Sequence, residues 1–175
     1  VGVGIADVMC GMYATVAILA ALHHRDGTGE GQYIDLSLLD TQVAWLINVG
    51  LNYLVSGQVP GRVGNEHPNI VPYNVLATKD GRHVILAVGN DLQFAKFCKF
   101  AGAPALADDP RFKTNDARVR NRRAIYELLP DILRAKTQQE WIDGLAAAGV
   151  PCSPVNSIDQ VFADPQVQAR GMKVS

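Results

Sequence analysis

The sequence predicts an α/β protein in two parts, a helix–strand–helix unit over residues 1–56 and a small α+β domain over residues 73–160. Three observations carry this prediction. Residues 8–56 are rich in apolar side chains, largely at helical spacing. Residues 73–88 alternate as two strands joined by a turn do. Between the two parts, residues 57–72 are rich in glycine and proline, which is typical of a linker.

The first part begins with a helix whose apolar and small residues, from Val8 to about His24, fill nearly every face. The glycine-rich stretch RDGTGEGQ, residues 25–32, is expected to end it. YIDLS, residues 33–37, alternates as a short strand does, and residues 38–56 return to a helical period. Because such apolar helices and a lone strand need neighbours, we expect this part to belong to a larger α/β domain.

The second part opens with a hairpin, two strands over residues 73–88 with a turn at residues 79–81. Helices are expected to follow, each begun by a capping residue. The predicted caps are Asn90 or Asp91, Thr114 or Asn115, Thr137 with Glu140, and Ser157. Pro130 is expected to kink or break the long helix that runs to about Lys136. Residues 161–175 are interpreted as a segment that returns towards the large domain.

Composition argues against several classes of partner. Of 175 residues, 48% are hydrophobic and 19% charged, and a net charge of −1 gives no electrostatic reason to expect nucleic acid or an anionic membrane. The uncharged run 8–22 is shorter than the roughly 20 residues that a membrane span needs. Cys10, Cys98 and Cys152 show no metal-ligand spacing, so we expect reduced thiols, a cytoplasmic location and no metal site. Because the chain starts with Val1, we interpret it as an internal piece of a longer protein.

One acid, Asp7, stands at the threshold of the apolar helix, and the residues allow two interpretations. In the structural one it is an N-cap or first-turn acid that accepts backbone N–H groups and complements the helix dipole. In the functional one the same position favours an ionised carboxylate that acts as a covalent nucleophile in acyl transfer. Gly11 costs the helix about 1 kcal/mol relative to Ala, which is consistent with a ligand approaching there or with close helix packing.

The segment GNEHPNIVPY, residues 64–73, is the second candidate site. Its polar residues, lying between two domains, suit a loop that gates a substrate, with Asn65 and His67 as binding residues. The alternative is a plain tether, and the residues do not decide between the two. The arginine-rich run 118–123, RVRNRR, is expected to be a solvated face that pairs with acids, with contact to an anionic ligand as the alternative.

In their order along the chain, these blocks resemble the family III CoA-transferases, the relatives of formyl-CoA and carnitine CoA-transferases. The resemblance covers essentially the whole chain, and its specific blocks include TGEGQYIDLSLLD, residues 28–40, and GVPCSPVNSIDQVFADPQVQARG, residues 149–171. The segment HPNIVPY is most similar to members that act on dicarboxylic acids, such as succinyl-CoA:glutarate transferases. The resemblance implies a Rossmann-like large domain, a small domain and an interlocked homodimer.

For Asp7, the resemblance implies the role of covalent nucleophile. Its carboxylate would attack an acyl-CoA thioester, form an aspartyl anhydride and then an aspartyl-CoA thioester, and pass CoA to an acceptor carboxylic acid. Coenzyme A is then a substrate, and no cofactor is bound permanently. Most CoA contacts of the family precede Asp7, so the CoA-binding residues stay unknown and the chain by itself is expected to be inactive.

Two alternatives stay open. The 2-methylacyl-CoA racemases share the family's fold and use the equivalent aspartate for proton transfer. They carry DFAGG, whereas Asp7 is followed here by the residues VMCG. This difference favours the transferase. The non-enzymatic alternative is an inert domain or an assembly module.

Overall fold

The computed structural model describes residues 2–174, and the chain divides after Arg62 into two units. Unit 1 spans Val1–Arg62 and unit 2 spans Val63–Ser175. The described part of unit 1 is helical. Unit 2 combines a sheet with helices and contains the hydrophobic core.

Unit 1 contains three helices within its described residues, α1 (Ile5–Thr28), α2 (Leu38–Ala44) and α3 (Ile47–Ser56). The first helix ends within the glycine-rich stretch 25–32, as predicted, a few residues beyond His24. Gly29 closes it in the left-handed conformation, with its N–H bonded to the Arg25 carbonyl at 2.7 Å. Residues 33–37, predicted as a strand, have no regular structure. The reason is that residues 2–62 contain no strand with which they pair.

α2 and α3 replace the single helix predicted for residues 38–56. The chain turns at Trp45 and Leu46, and Ile47 takes a positive φ of 42°, a conformation that is rare for a β-branched residue. Ser37 caps α2, accepting the Asp40 N–H at 3.0 Å. The helical period of this segment is therefore interrupted once, near its middle.

Apolar character extends along the whole of α1. The helix has 24 residues and a mean hydropathy of 1.9 in its 18-residue apolar stretch, which is enough to cross a membrane by length and composition alone. The length argument drawn from the uncharged run 8–22 is therefore wrong. A core helix of a soluble protein meets the same criterion, yet none of the α1 residues is buried within unit 1. α1 thus presents apolar surface that suits burial against further protein.

Unit 2 is built on an antiparallel sheet of three strands within the described residues, β1 (Tyr73–Ala77), β2 (His83–Ala87) and β3 (Cys152–Pro154). β1 and β2 form the predicted hairpin, in which Val75 lies opposite Ile85. Gly81 takes the positive φ of 74° in the turn between them. β3 pairs with the other edge of β2, with Ser153 opposite Ile85. The hairpin prediction is confirmed.

The helices of unit 2, within residues 63–174, are α4 (Asp91–Phe100), α5 (Ala105–Asp108), α6 (Asn115–Arg120), α7 (Arg122–Leu133), α8 (Gln138–Ala148), α9 (Ile158–Ala163) and α10 (Pro165–Ala169). Asn90 and Thr114 cap their helices as predicted, each accepting a backbone N–H with its side-chain oxygen. Thr137 and Glu140 form the predicted capping box. These short-range predictions are confirmed because a cap depends on residues within one turn.

The break in the long predicted helix falls at Asn121, between α6 and α7, and the prediction of a break at Pro130 is wrong. Asn121 leaves the helical conformation, and its side-chain amide donates to the carbonyls of Ala117 at 2.9 Å and Arg111 at 3.2 Å. Pro130 lies inside α7. The helix is therefore interrupted at Asn121, whose side chain binds backbone carbonyls. It continues through Pro130, although proline has no backbone N–H to donate.

Trp141 of α8 lies in the core of unit 2, fully buried. Its ring centroid is 6.1 Å from that of Phe97 and 5.4 Å from that of Phe100, and its indole N–H donates to the Leu133 carbonyl at 2.8 Å. α4 and α8 approach closely at Gly144, where an added Cβ would lie 1.9 Å from the Phe100 ring. Any side chain at this position would force the two helices apart.

Arg118 of α6 is fully buried, and its guanidinium joins three distant segments of unit 2. It donates to the carbonyls of Val71 at 2.5 Å and Phe112 at 2.8 Å, and to the Asp91 carboxylate at 2.9 Å. The guanidinium also lies 4.3 Å from the centre of the Phe94 ring. Burial lowers the pKa of Arg118, and the hydrogen bond and charge of Asp91 oppose that shift.

Replacing Arg118 with Met tests this role. The change leaves the carbonyls of Val71 and Phe112 without their donor, and each buried unsatisfied group costs about 1–3 kcal/mol. We expect the free energy of unfolding to fall by about 3 kcal/mol. The measurement is urea unfolding followed by Trp141 fluorescence in a Trp45→Phe background.

The matched control is Arg120→Met, two residues later on the same helix. Arg120 forms an exposed ion pair with Asp116, so we expect its loss to change stability by less than about 1 kcal/mol. Equal losses for the two variants would contradict the structural role of Arg118.

Candidate functional site

Asp7 lies in the first turn of α1 and is exposed. Gly4 is the N-cap, so Asp7 takes the first-turn position rather than the cap that the sequence also allowed. The first N–H groups of a helix have no intrahelical partner and give this end a partial positive charge. A helix terminus of this kind stabilises negative charge that develops on an oxygen beside it.

Two glycines flank Asp7 on its helix face, Gly4 one turn before it and Gly11 one turn after. A Cβ on Gly4 would lie 3.0 Å from the Asp7 Oδ2 atom, so the carboxylate lies next to the space that a side chain at residue 4 would fill. A Cβ on Gly11 would have no atom within 4 Å in the described chain. The carboxylate is thus approachable along its own helix face.

The second candidate site is a segment that we call the strap, residues 66–73. Alternate backbone N–H groups of the strap are all hydrogen-bonded. His67 donates to the Tyr73 carbonyl, Asn69 to the His67 Nδ1, Val71 to the Asn115 Oδ1 and Tyr73 to the Tyr126 hydroxyl, each at 3.1 Å. A segment bound in this way presents its side chains from a fixed backbone.

The strap is held by one face of α6 and α7. The four side chains that bind its backbone recur at helical spacing: Asn115, Arg118, Arg122 and Tyr126. Each bonds to backbone atoms of the strap, and Arg122 bonds in addition to the Glu66 side chain.

Arg122 binds the beginning of the strap. Its Nη1 atom donates to the Glu66 carboxylate at 2.9 Å and to the His67 carbonyl at 3.0 Å. Its Nη2 atom donates to the Pro68 carbonyl at 2.6 Å. At 24% exposure the Arg122 side chain is largely withdrawn from solvent, so these bonds are weakly screened.

Tyr126 binds the end of the strap with a single oxygen. Its hydroxyl accepts the Tyr73 N–H at 3.1 Å and donates to the Tyr73 carbonyl at 3.2 Å. Burial raises the pKa of the Tyr126 hydroxyl. The hydroxyl therefore keeps the proton that it donates to the Tyr73 carbonyl.

The predicted binding residues differ in how firmly they are held. His67 belongs to the strap, and its ring is stacked on Tyr73 with centroids 5.3 Å apart and planes 15° apart. Asn65 precedes the strap, follows Gly64 at a positive φ of 62°, and is exposed. Both residues belong to unit 2, whereas Asp7 belongs to unit 1.

The arginine-rich run 118–123 pairs with acids, as predicted. Its four ion pairs are Arg118–Asp91, Arg120–Asp116, Arg122–Glu66 and Arg123–Glu127. The prediction of a solvated face is wrong for Arg118, which is buried. Sequence reasoning also missed Arg122 and Tyr126 as strap ligands, although their spacing from Arg118 was a signal.

Neither thiols nor metal ligands gather at these sites. Burial raises the pKa values of Cys98 and Cys152 to about 11, so both stay protonated near neutral pH. No group of three or more His, Cys, Asp or Glu side chains in residues 2–174 is placed to hold a metal ion.

A comparison with protein-family models identifies the family of the chain. The model of CoA-transferase family III matches residues 1–175. The chain belongs to CoA-transferase family III. The family resemblance drawn from the sequence is therefore confirmed.

Relatives within CoA-transferase family III support this assignment. The chain is 47% identical to the succinate–glutarate CoA-transferase of Agrobacterium fabrum, over 99% of the chain and 43% of that protein. It is 39% identical to the human succinyl-CoA:glutarate CoA-transferase, over 98% of the chain and 39% of that protein. A CAIB/BAIF family protein from Brucella suis has 46% identity and a TM-score of 0.76, over 99% of the chain and 46% of its own. The α/β fold prediction is confirmed, and the chain spans less than half the length of these relatives.

Hydrogen exchange tests whether the strap is held as described. We expect the amides of His67, Asn69, Val71 and Tyr73 to be protected, because each is hydrogen-bonded. Residues 61–65 should exchange much faster. Residue-resolved exchange by NMR makes the measurement.

Tyr126→Phe is the matched variant, since it removes the acceptor of the Tyr73 N–H and keeps the ring. Protection should fall at Tyr73 and persist at Val71, whose acceptor is Asn115. Fast exchange throughout residues 61–73 of the unaltered chain would contradict the strap.

Proposed function

We propose that the complete enzyme, meaning this chain together with the further length that its relatives have, transfers CoA from an acyl-CoA donor to a dicarboxylic acid through Asp7. The observation that carries the proposal is an exposed carboxylate in the first turn of α1, between two glycines, in a chain of CoA-transferase family III. The relatives named as succinate–glutarate and succinyl-CoA:glutarate transferases support dicarboxylic acids as substrates.

In the proposed reaction, an Asp7 oxygen attacks the thioester carbonyl carbon, the C–S bond breaks and CoA leaves as a thiolate. The thiolate then attacks the aspartyl carbon of the mixed anhydride, which releases the donor acid as a carboxylate and leaves an aspartyl-CoA thioester. The acceptor carboxylate attacks that thioester and again displaces the thiolate. The thiolate finally attacks the acceptor's carbonyl, which forms the new thioester and restores the Asp7 carboxylate. No net proton transfer is needed.

The N-terminus of α1 contributes to this reaction by stabilising the negative charge that develops on the attacked carbonyl oxygen. Each attack places negative charge on a carbonyl oxygen beside the first turn of α1. Backbone N–H groups and the positive end of the helix dipole stabilise such charge without reorganising. The carboxylate carries no proton to be removed, so it acts as nucleophile without a neighbouring general base.

We infer that Asn65 and His67 contact the acceptor acid. Both carry hydrogen-bond donors, which suit a carboxylate. We further infer that the enzyme is a cytoplasmic homodimer and that the chain by itself is inactive. The apolar exposed surface of α1 and three free cysteines are consistent with these inferences.

Asp7→Asn in the complete enzyme tests the proposal. The substitution keeps the size of the side chain and sacrifices a helix-dipole interaction of about 0.3–1 kcal/mol. An amide cannot form the anhydride or the thioester, so we expect kcat/KM to fall at least about 1,000-fold, a barrier increase of ~4 kcal/mol. Steady-state kinetics and calorimetric titration with CoA are the measurements, and CoA affinity should stay nearly unchanged.

Asp40→Asn is the matched control, because Asp40 is an exposed acid at the same position in the first turn of α2. Activity of this variant should stay within about threefold of the unaltered enzyme. The proposal is overturned if Asp7→Asn keeps more than a tenth of the activity, a barrier change of only ~1.4 kcal/mol. Exchange of the α-proton of a 2-methylacyl-CoA without CoA transfer would instead identify a racemase.

A further inference from the structure

Arg122 has an unusual position among the four side chains that hold the strap. Asn115, Arg118 and Tyr126 bind residues 69–73, which lead directly into β1. Arg122 instead binds Glu66, His67 and Pro68, ahead of the sheet. Its contacts therefore fix the part of the strap that carries a proposed substrate-binding residue.

The strap fixes His67 in one orientation and its neutral ring in one tautomer. The His67 N–H and carbonyl are both bonded, to Tyr73 and Arg122 respectively, and its ring is stacked on Tyr73. Its Nδ1 atom accepts the Asn69 N–H at 3.1 Å, so the proton of the neutral ring is on Nε2. The ring thus offers an N–H donor from its Nε2 edge, and the side chain is partly exposed.

The charge of Arg122 is already matched by Glu66, with 2.9 Å between the Nη1 and Oε2 atoms. Arg122 also donates to two backbone carbonyls, so three of its five N–H groups are bound to the strap. These contacts place the guanidinium against the strap backbone, so a change at Arg122 reaches His67 through the strap.

We propose that Arg122 is a positioning residue for acceptor recognition. By holding the strap at Glu66, His67 and Pro68, it aims the Nε2–H of His67 at the second carboxylate of a dicarboxylic acceptor, a group that a monocarboxylic acid lacks. This inference rests on the proposed function, in which the other carboxylate of the acceptor takes CoA. The strap is then a specificity element rather than a simple tether.

A site that donates to a polar group discriminates against an analogue without that group, because the donor is left unpaired. Losing the orientation of His67 should therefore weaken dicarboxylic acceptors selectively. A purely structural role of Arg122 predicts something different, namely equal losses for dicarboxylic and monocarboxylic acceptors and a fall in kcat.

The experiment compares glutarate with pentanoate, acids of equal carbon number, in the complete enzyme with a fixed acyl-CoA donor. For Arg122→Gln we expect KM for glutarate to rise about tenfold, equivalent to ~1.4 kcal/mol. The kcat value, and the kinetics with pentanoate, should change less than about twofold. Arg122→Lys should restore part of the loss, because an ammonium keeps the charge opposite Glu66 without the fork of donors.

Two further variants complete the design. Arg123→Gln is the control, because Arg123 is the neighbouring residue, 94% exposed, and pairs with Glu127 away from the strap. It should leave both acceptors unchanged. His67→Ala should raise KM for glutarate as Arg122→Gln does, and the double variant should add little, because both changes remove one interaction.

Each outcome decides a different claim. If the unaltered enzyme transfers CoA to neither acid, the proposed function fails before Arg122 is tested. If it transfers CoA and Arg122→Gln changes both acceptors equally, or the effects of Arg122→Gln and His67→Ala add fully, the positioning role is overturned. If Arg122→Gln does not fold, Glu66→Gln replaces it. That variant removes the ion pair and keeps both carbonyl contacts, and it should show the same selective rise in KM, smaller in size.

Discussion

The buried guanidinium of Arg118 is the interaction on which the architecture of unit 2 depends. Val71, Asp91 and Phe112 are far apart in the sequence, and all three bind this one side chain. They mark the end of the strap, the start of α4 and the approach to α6. A planar group with five fixed donors suits this task, because its bonds point in set directions while the ring of Phe94 covers its face.

The same helix face also holds the strap, which carries the proposed acceptor-binding residue His67. Arg122 and Tyr126 lie one and two turns beyond Arg118 and bind the strap backbone on either side of the point where Arg118 holds it. Most of these bonds go to backbone atoms, and the Glu66 carboxylate is the strap side chain that adds to them. In the proposed enzyme, His67 of unit 2 contributes to recognition of the acceptor and Asp7 of unit 1 contributes the covalent chemistry.

Short-range features could be predicted from the sequence, and features that depend on distant partners could not. The hairpin at Gly81 and the capping box at Thr137 involve residues within a few positions of each other. The strand expected at residues 33–37 failed, because alternation without a pairing partner does not make a sheet. The burial of Arg118 was missed, because its ligands are mostly backbone carbonyls, which carry no residue-type signal. Asp7 was singled out by its position before the apolar helix, but its role as nucleophile was implied only by the resemblance to a family and stays a prediction.

The most direct test of the central claim, a covalent bond to Asp7, is chemical trapping in the complete enzyme. Hydroxylamine attacks acyl anhydrides and thioesters of a carboxyl group and leaves a hydroxamate. Enzyme incubated with acyl-CoA and hydroxylamine should carry a hydroxamate at Asp7 in peptide mapping by mass spectrometry, and enzyme without acyl-CoA should not. An unmodified Asp7 in an enzyme that is turning over, or a hydroxamate at a different residue, would contradict the account.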